Sequence, residues 1–449
     1  MGAKTALIRL ATALIPSKKL RRRARRKLLD AARDARIASL APEIRSRYAA
    51  HAARCREKLA RGEKIKVAFL ICDASMFSGE SVYLKMKDDP RFDCSILIAP
   101  RTSRGGKFLR ETQEKTLALL SKRYGGAVRA IYCPDSGREE PVVADVVFDT
   151  ILYEDQSLES CTVENLSRRS LVAVIYYGYG GLFKSNEKKT PHLPNVSLAW
   201  RFFVSNRETA EMFRKANPLL DGSVVAAGYC KMDRLADEMR RAAPRKRKRI
   251  IIAPHHTIDR AADGALALST FLANAGALLE LPAMFPDVDF VFRPHPLLFP
   301  RLSSPSKWGE SKAAGYLEAM AAFPNVEIET GGDYFATFAS SDALLHDCGS
   351  FLAEYFYTGR PQCFMLESDT TVESQFLPFA RELLGRARRA YGRDGIVAFV
   401  RDVAAGAPDP QAGERAAFAR ERVCVNHPDA SGKVVESVLR AIAAPPESE

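Results

Sequence analysis

Several features that would settle the class of this chain at once are missing from it. The nine cysteines, at 55, 72, 94, 133, 161, 230, 348, 363 and 424, form no CxxC pair, and an odd number cannot close fully into intrachain bridges. That usage excludes a disulfide scaffold and fits a reducing, cytosolic compartment. No run reaches 18 apolar residues, so no membrane-spanning helix is expected. The first apolar stretch, residues 6–15, has its positive charges behind it, where an export signal carries them in front. Walker A, GxGxxG, GxSxG and HExxH patterns are all absent, which removes the commonest nucleotide, hydrolase and zinc-protease signatures. The Gly-Tyr-Gly-Gly run at 178–181 is too loose to signal a dinucleotide fold.

What remains is an ordinary globular composition of 449 residues, 47% hydrophobic and 27% charged, enough for two or three domains with real cores. The net charge of +13 is unevenly placed. Residues 1–64 hold 19 Lys and Arg against 5 Asp and Glu, so the rest of the chain is close to neutral. This first segment lacks Gly from 6 to 60 and is rich in Ala, Leu and Arg, which predicts one or two helices. Lys18, Lys19, Arg21, Arg22, Arg23, Arg25, Arg26 and Lys27 follow the apolar Leu7, Ile8, Leu10, Leu14 and Ile15. Such a pairing suits an anionic membrane surface, each basic residue contributing roughly 1 kcal/mol near the headgroups. A solvated helix and nonspecific nucleic-acid contact are the rivals. Because the body carries no zinc-finger spacing and no second basic stripe, no specific nucleic-acid partner is expected.

After residue 64 short aliphatic runs alternate with helical stretches, the pattern of α/β architecture. Strands are predicted at 66–71, 93–98, 142–148, 171–176, 201–204 and 224–227, and again at 249–253, 288–293, 326–328, 343–346 and 362–366. The polar AAPRKRK at 242–248 reads as a hinge. Three units follow: a basic helical membrane-association arm (1–64), a Rossmann-like acceptor domain (65–243) and a Rossmann-like nucleotide-donor domain (244–449).

Ligands of parallel sheets sit beyond the carboxyl ends of the strands. Three such places stand out in the second unit. Ile251-Ile252-Ala253-Pro254-His255-His256-Thr257 runs from a strand into two histidines, and Phe292-Arg293-Pro294-His295-Pro296 does the same on a loop stiffened by proline. There Arg293 and His295 suit a phosphate group. In the third, His346-Asp347-Cys348-Gly349-Ser350 leads into a helix whose start Ser350 is expected to cap, offering amides to a diphosphate. Glu354, one turn on, would face a ribose. Four histidines could also hold a metal, but with no HxH or spaced Cys/His pattern beside them none is expected.

In order, GYCKMD at 228–233, APHHT at 253–257, FRPHP at 292–296 and SDALLHDCGSFLAEYFYTGRP at 341–361 resemble the CDP-glycerol glycerophosphotransferase family, over about residues 65–400. The resemblance implies a GT-B fold, two facing Rossmann-like domains, without a cofactor or metal. It also implies transfer of glycerol phosphate or a similar polyol phosphate from a CDP-linked donor to a hydroxyl of a lipid-linked or glycan acceptor, releasing CMP. By the same likeness Arg293, His295, Gly349 and Ser350 would hold the donor phosphates, while Asp347 and Glu354 would meet the nucleotide or shape its site. Gly349 stands where the family usually has a serine. Tyr177 stands where the family has a histidine base, and with Tyr179 it is placed on the acceptor side. A phenol is a poor base at neutral pH, so His255 and His256 are the candidates for that role. The implied location is the inner face of the cell membrane, as a peripheral protein. Two other readings stay open, a GT-B enzyme using a nucleotide sugar and a noncatalytic nucleotide-binding scaffold.

Overall fold

The computed structural model describes residues 2–102, 106–184, 189–259, 263 and 267–444. Helices Gly2–Ala13 and Lys18–Ala60 come first, the second begun by Ser17, whose hydroxyl accepts the Leu20 amide. Seven parallel strands then form one sheet: β1 (Ile65–Ile71), β2 (Phe92–Ile98), β3 (Val128–Ala130), β4 (Val146–Asp149), β5 (Leu171–Ile175), β6 (Arg201–Val204) and β7 (Val224–Ala226). Their order is β3-β2-β1-β4-β5-β6-β7. Six more make a second parallel sheet: β8 (Arg249–Ala253), β9 (Asp289–Phe292), β10 (Val326–Ile328), β11 (Ala343–His346), β12 (Gln362–Met365) and β13 (Arg388–Ala390), in the order β10-β9-β8-β11-β12-β13. In each sheet the order reverses beside the first strand, which opens a crevice at the carboxyl ends there. β1, β4, β5, β8 and β11 are mostly apolar and buried on both faces, as parallel strands covered by helices must be.

The boundaries differ from the expected ones in two places. The arm is only half an arm: Ile37, Ala41, Ile44, Tyr48, Ala52 and Cys55 of the long helix are buried in the core of the first sheet, and Tyr48 donates its hydroxyl hydrogen to Leu198 O at 2.9 Å. What stays outside is its first part, where Leu7, Leu10 and Leu14 are 65%, 70% and 89% exposed, with Leu20 nearby. The side chains of Ala6 and Arg9 lie outside the described residues. No helix among the described residues is long and apolar enough to cross a membrane.

At the other end, the last helix, Ala430–Ala443, does not stay with the second domain. Val434, Val435, Val438 and Ile442 complete the core of the first. The chain is steered back by the GYCKMD segment. Gly228, at φ 99°, lets the Val425 carbonyl pass close to its Cα, and Asp233 accepts the amides of Ala430 and Ser431 at 3.2 and 2.8 Å, at the start of that helix. Asp233→Ala is expected to lower stability by about 1 kcal/mol, the usual worth of a lost helix-start acceptor, read by thermal unfolding.

Candidate functional site

β8 and β9 are neighbours in register, Ile252 opposite Phe292, so the loops that follow them leave the sheet side by side. This brings His255, His256 and His295 together. Ring centroids are 4.3 Å apart for His255 and His256, 5.1 Å for His255 and His295, and 3.9 Å for His256 and His295. Arg301, six residues beyond His295, closes the group: its guanidinium donates to His256 O at 3.2 Å and to both oxygens of Asp263 at 2.7 and 2.8 Å. Burial disfavours the charged form of all three rings. Burial pushes His255 well below 6.5, helped by its histidine neighbours and Arg301, while burial and then His256 bring His295 down to about 4. His256 is lowered by burial and Arg301, against Asp263.

The rings could in principle converge on a metal ion, since one nitrogen of each lies within 4.8 Å of the others. Hydrogen bonding points elsewhere. His295 accepts the Leu297 amide on Nδ1 at 3.1 Å, which leaves its proton on Nε2. A metal-ligating histidine instead donates its second nitrogen to an acceptor. His295 Nε2 is therefore a donor, suited to an anion.

Asp347 supports this group from behind. Fully buried after β11, it accepts the His255 amide at 2.6 Å and the Thr270 amide and hydroxyl at 2.6 and 3.1 Å, so it shapes the loop and the following helix start. Burial pushes its carboxyl up to about 6 against these bonds.

The other expected phosphate ligands are engaged differently. Arg293 is buried; its guanidinium pairs with Glu329 and donates to Gly332 O at 2.7 Å. Neither these bonds nor those of His295 join the two to Ser350. Ser350 is exposed and does not cap: Cys348 holds the cap position of helix Gly349–Glu354. Gly349 is glycine for a local reason, since a Cβ there would run into the ring of Phe183, which arrives from the first domain and packs on Phe376. The serine of the family pattern would collide with that ring. Glu354 is buried and does not face an open ribose position. Tyr229 and Tyr334 donate to its two oxygens at 3.1 and 2.5 Å, tying the first domain to the second. Lys231 lies 4.8 Å over the Tyr334 ring and Arg293 5.8 Å from it.

Tyr177 remains at the end of β5, half-buried, with burial raising its phenol further above the usual value. Its neighbour Tyr179 is a packing residue: it stacks on Phe379, donates to Val423 O at 3.1 Å and accepts from Asn206 at 3.0 Å, all out of reach of an acceptor. Arg301, Thr257, Tyr334 and Phe183 were not singled out by sequence reasoning. Only Arg301 carried a usable signal, a cation five residues beyond FRPHP.

No family model matches the chain, and no curated protein matches it. Solved structures do resemble it. The wall teichoic acid polymerase TagF aligns at a TM-score of 0.56 and 16% identity, over 84% of this chain and 88% of that one. A TagF variant soaked with CDPG covers 93% of this chain and 98% of its own, at a TM-score of 0.55 and 14% identity. A putative UDP-N-acetylglucosamine 2-epimerase from Listeria monocytogenes aligns at 0.51 and 12% identity, over 86% and 99%. At such identities the likeness is one of fold, and the fold is GT-B: two facing Rossmann-like domains, seven strands and six.

Proposed function

We propose that the protein is a GT-B transferase that binds a nucleotide-activated donor in its second domain. In this reading it moves glycerol phosphate, or a similar polyol phosphate, from a CDP-linked donor to a hydroxyl of a membrane-associated acceptor and releases CMP. The observation that carries it is the convergence of His255, His256 and His295, with Arg301, at the carboxyl ends of β8 and β9, where this fold class takes its ligands. Donor identity rests on the APHHT, FRPHP and HDCGSF motifs.

The acceptor hydroxyl would attack the β-phosphorus as the bond to CMP breaks, and charge would gather on the phosphoryl oxygens. Fixed N–H donors such as His295 Nε2 stabilise that charge without reorganising. His256 would take the acceptor's proton through Nε2, since its Nδ1 is buried. The exposed Leu7, Leu10 and Leu14 beside the basic run at 18–27 would rest the enzyme on an anionic membrane surface near a lipid-linked acceptor.

Nucleotide-sugar chemistry is the second reading, favoured by the likeness to the 2-epimerase and by the phenol at Tyr177 in place of a base. Incubating the protein with CDP-glycerol and with UDP-, GDP- and CMP-sugars, and following nucleotide release, separates the two. CMP freed from CDP-glycerol in the presence of an acceptor is expected. Release from a nucleotide sugar alone favours the second reading, and binding without any turnover leaves a noncatalytic scaffold.

A further inference from the structure

The three histidines are held in different ways, and the difference decides which can carry charge. His295 Nδ1 already receives the Leu297 amide, so a second proton on that ring would have to displace an N–H pointing at it. His256 Nδ1 is buried with no partner among the described residues, so a proton resting there would find no described acceptor. His255 is placed otherwise. Its Nδ1 lies 2.8 Å from Thr257 Oγ1, an oxygen that also accepts the Leu268 amide at 3.1 Å. A hydroxyl has one hydrogen and two acceptor positions. Thr257 can therefore donate to a neutral His255, or turn and accept from a protonated one, keeping the Leu268 bond in both states.

We propose that His255 takes up a proton when the diphosphate of the donor binds, with the Thr257 hydroxyl reversing its hydrogen bond, so that the site is neutral when empty and cationic when filled. The inference rests on the donor reading given above. Among the described residues, the groups acting most strongly on the His255 ring all oppose its charge in the empty site: His256, His295, Arg301 and His346. The nearby carboxylates are otherwise engaged, Asp263 with Arg301 and Asp347 with the His255 backbone amide. Burial acts in the same direction. A substituted nucleoside diphosphate brings negative charge into the centre of this group and reverses the balance. His255 is the member whose second nitrogen has a partner able to follow. Thr257 is then a positioning residue, acting through the imidazole.

Titration calorimetry of the full chain with CDP-glycerol, and separately with UDP-N-acetylglucosamine, in buffers of different ionisation heat counts the protons taken up. Neither compound titrates between pH 6 and 8. About one proton per donor is expected at pH 7.5, with affinity falling about tenfold per pH unit from 7 to 8. Thr257→Val is expected to abolish the uptake and flatten the pH dependence, and Thr257→Ser to keep both. His255→Gln reads the same quantity should Thr257→Val not fold. Binding without uptake, or uptake that survives in His255→Gln, overturns the inference and leaves the donor reading standing. Failure of both donors to bind overturns the two together.

Discussion

Replacing Asp347 with alanine is expected to cost about 3 kcal/mol at pH 7.5 and to lower the melting temperature by roughly 5–10 °C. The change leaves the amides of His255 and Thr270 without their acceptor in a fully buried place, and each such loss costs about 1–3 kcal/mol. The size of the effect should depend on pH in a definite sense. Burial raises the Asp347 carboxyl to about 6, above the value near 4 of an unfolded chain. A group raised in this way contributes stability that is present in full below about pH 4 and is lost as pH climbs through 6. The gap between the wild-type protein and Asp347→Ala should therefore widen toward pH 4, by up to about 3 kcal/mol. Denaturant unfolding of both proteins at pH 4.5, 6 and 7.5 checks this, because the difference cancels groups common to both. A constant gap would mean that Asp347 keeps an ordinary carboxylate affinity for protons. Loss of donor binding is expected beside the loss of stability, since the His255 loop is pinned by this carboxylate.

The second large effect is expected at Gly228→Ala, about 4 kcal/mol and roughly 10 °C in melting temperature. Two costs add. A left-handed backbone at φ 99° charges a non-glycine residue about 1–2 kcal/mol, and the new methyl would run into the Val425 carbonyl oxygen, with the Ala430 methyl 2.8 Å away. Backbone cannot swing aside. The contrast is Gly349→Ala, where the obstacle is the tip of the Phe183 ring, a side chain that can turn. A calorimetric scan in which Gly228→Ala costs no more than Gly349→Ala would remove this account of the GYCKMD glycine.

Much of this architecture was legible because parallel strands buried on both faces must be aliphatic. Eleven strand positions announced themselves as short runs such as Ile250-Ile251-Ile252. β3 and β13 escaped, being three residues each with exposed arginines, Arg129 in one and Arg388 and Arg389 in the other, at sheet edges where burial imposes no pattern. The histidine group was legible for the same topological reason: β8 and β9 had to be neighbours, so residues just after them had to meet. Arg293 was read as a phosphate ligand because Glu329, which neutralises it, lies on the far side of β10 and leaves no local trace. Tyr179 and Glu354 show the same blindness, since their partners Val423, Asn206, Tyr229 and Tyr334 are remote in sequence. The returning helix Ala430–Ala443 has an apolar stripe like any other, and nothing in that stripe says which sheet it will cover.

That return makes the second Rossmann-like unit, from about 244 to 423, an insertion carried by the first. The helix bearing Arg56 and the closing helix touch, Arg56 donating to Ile442 O at 3.0 Å, so entry and exit of the fold belong to one lobe. The second lobe hangs from that lobe by two seams, one after Arg241 and one at Val425. A lobe attached by two close seams can be exchanged as a cassette. Its residues can drift while the first lobe, and the basic helix in front of it, stay unaltered.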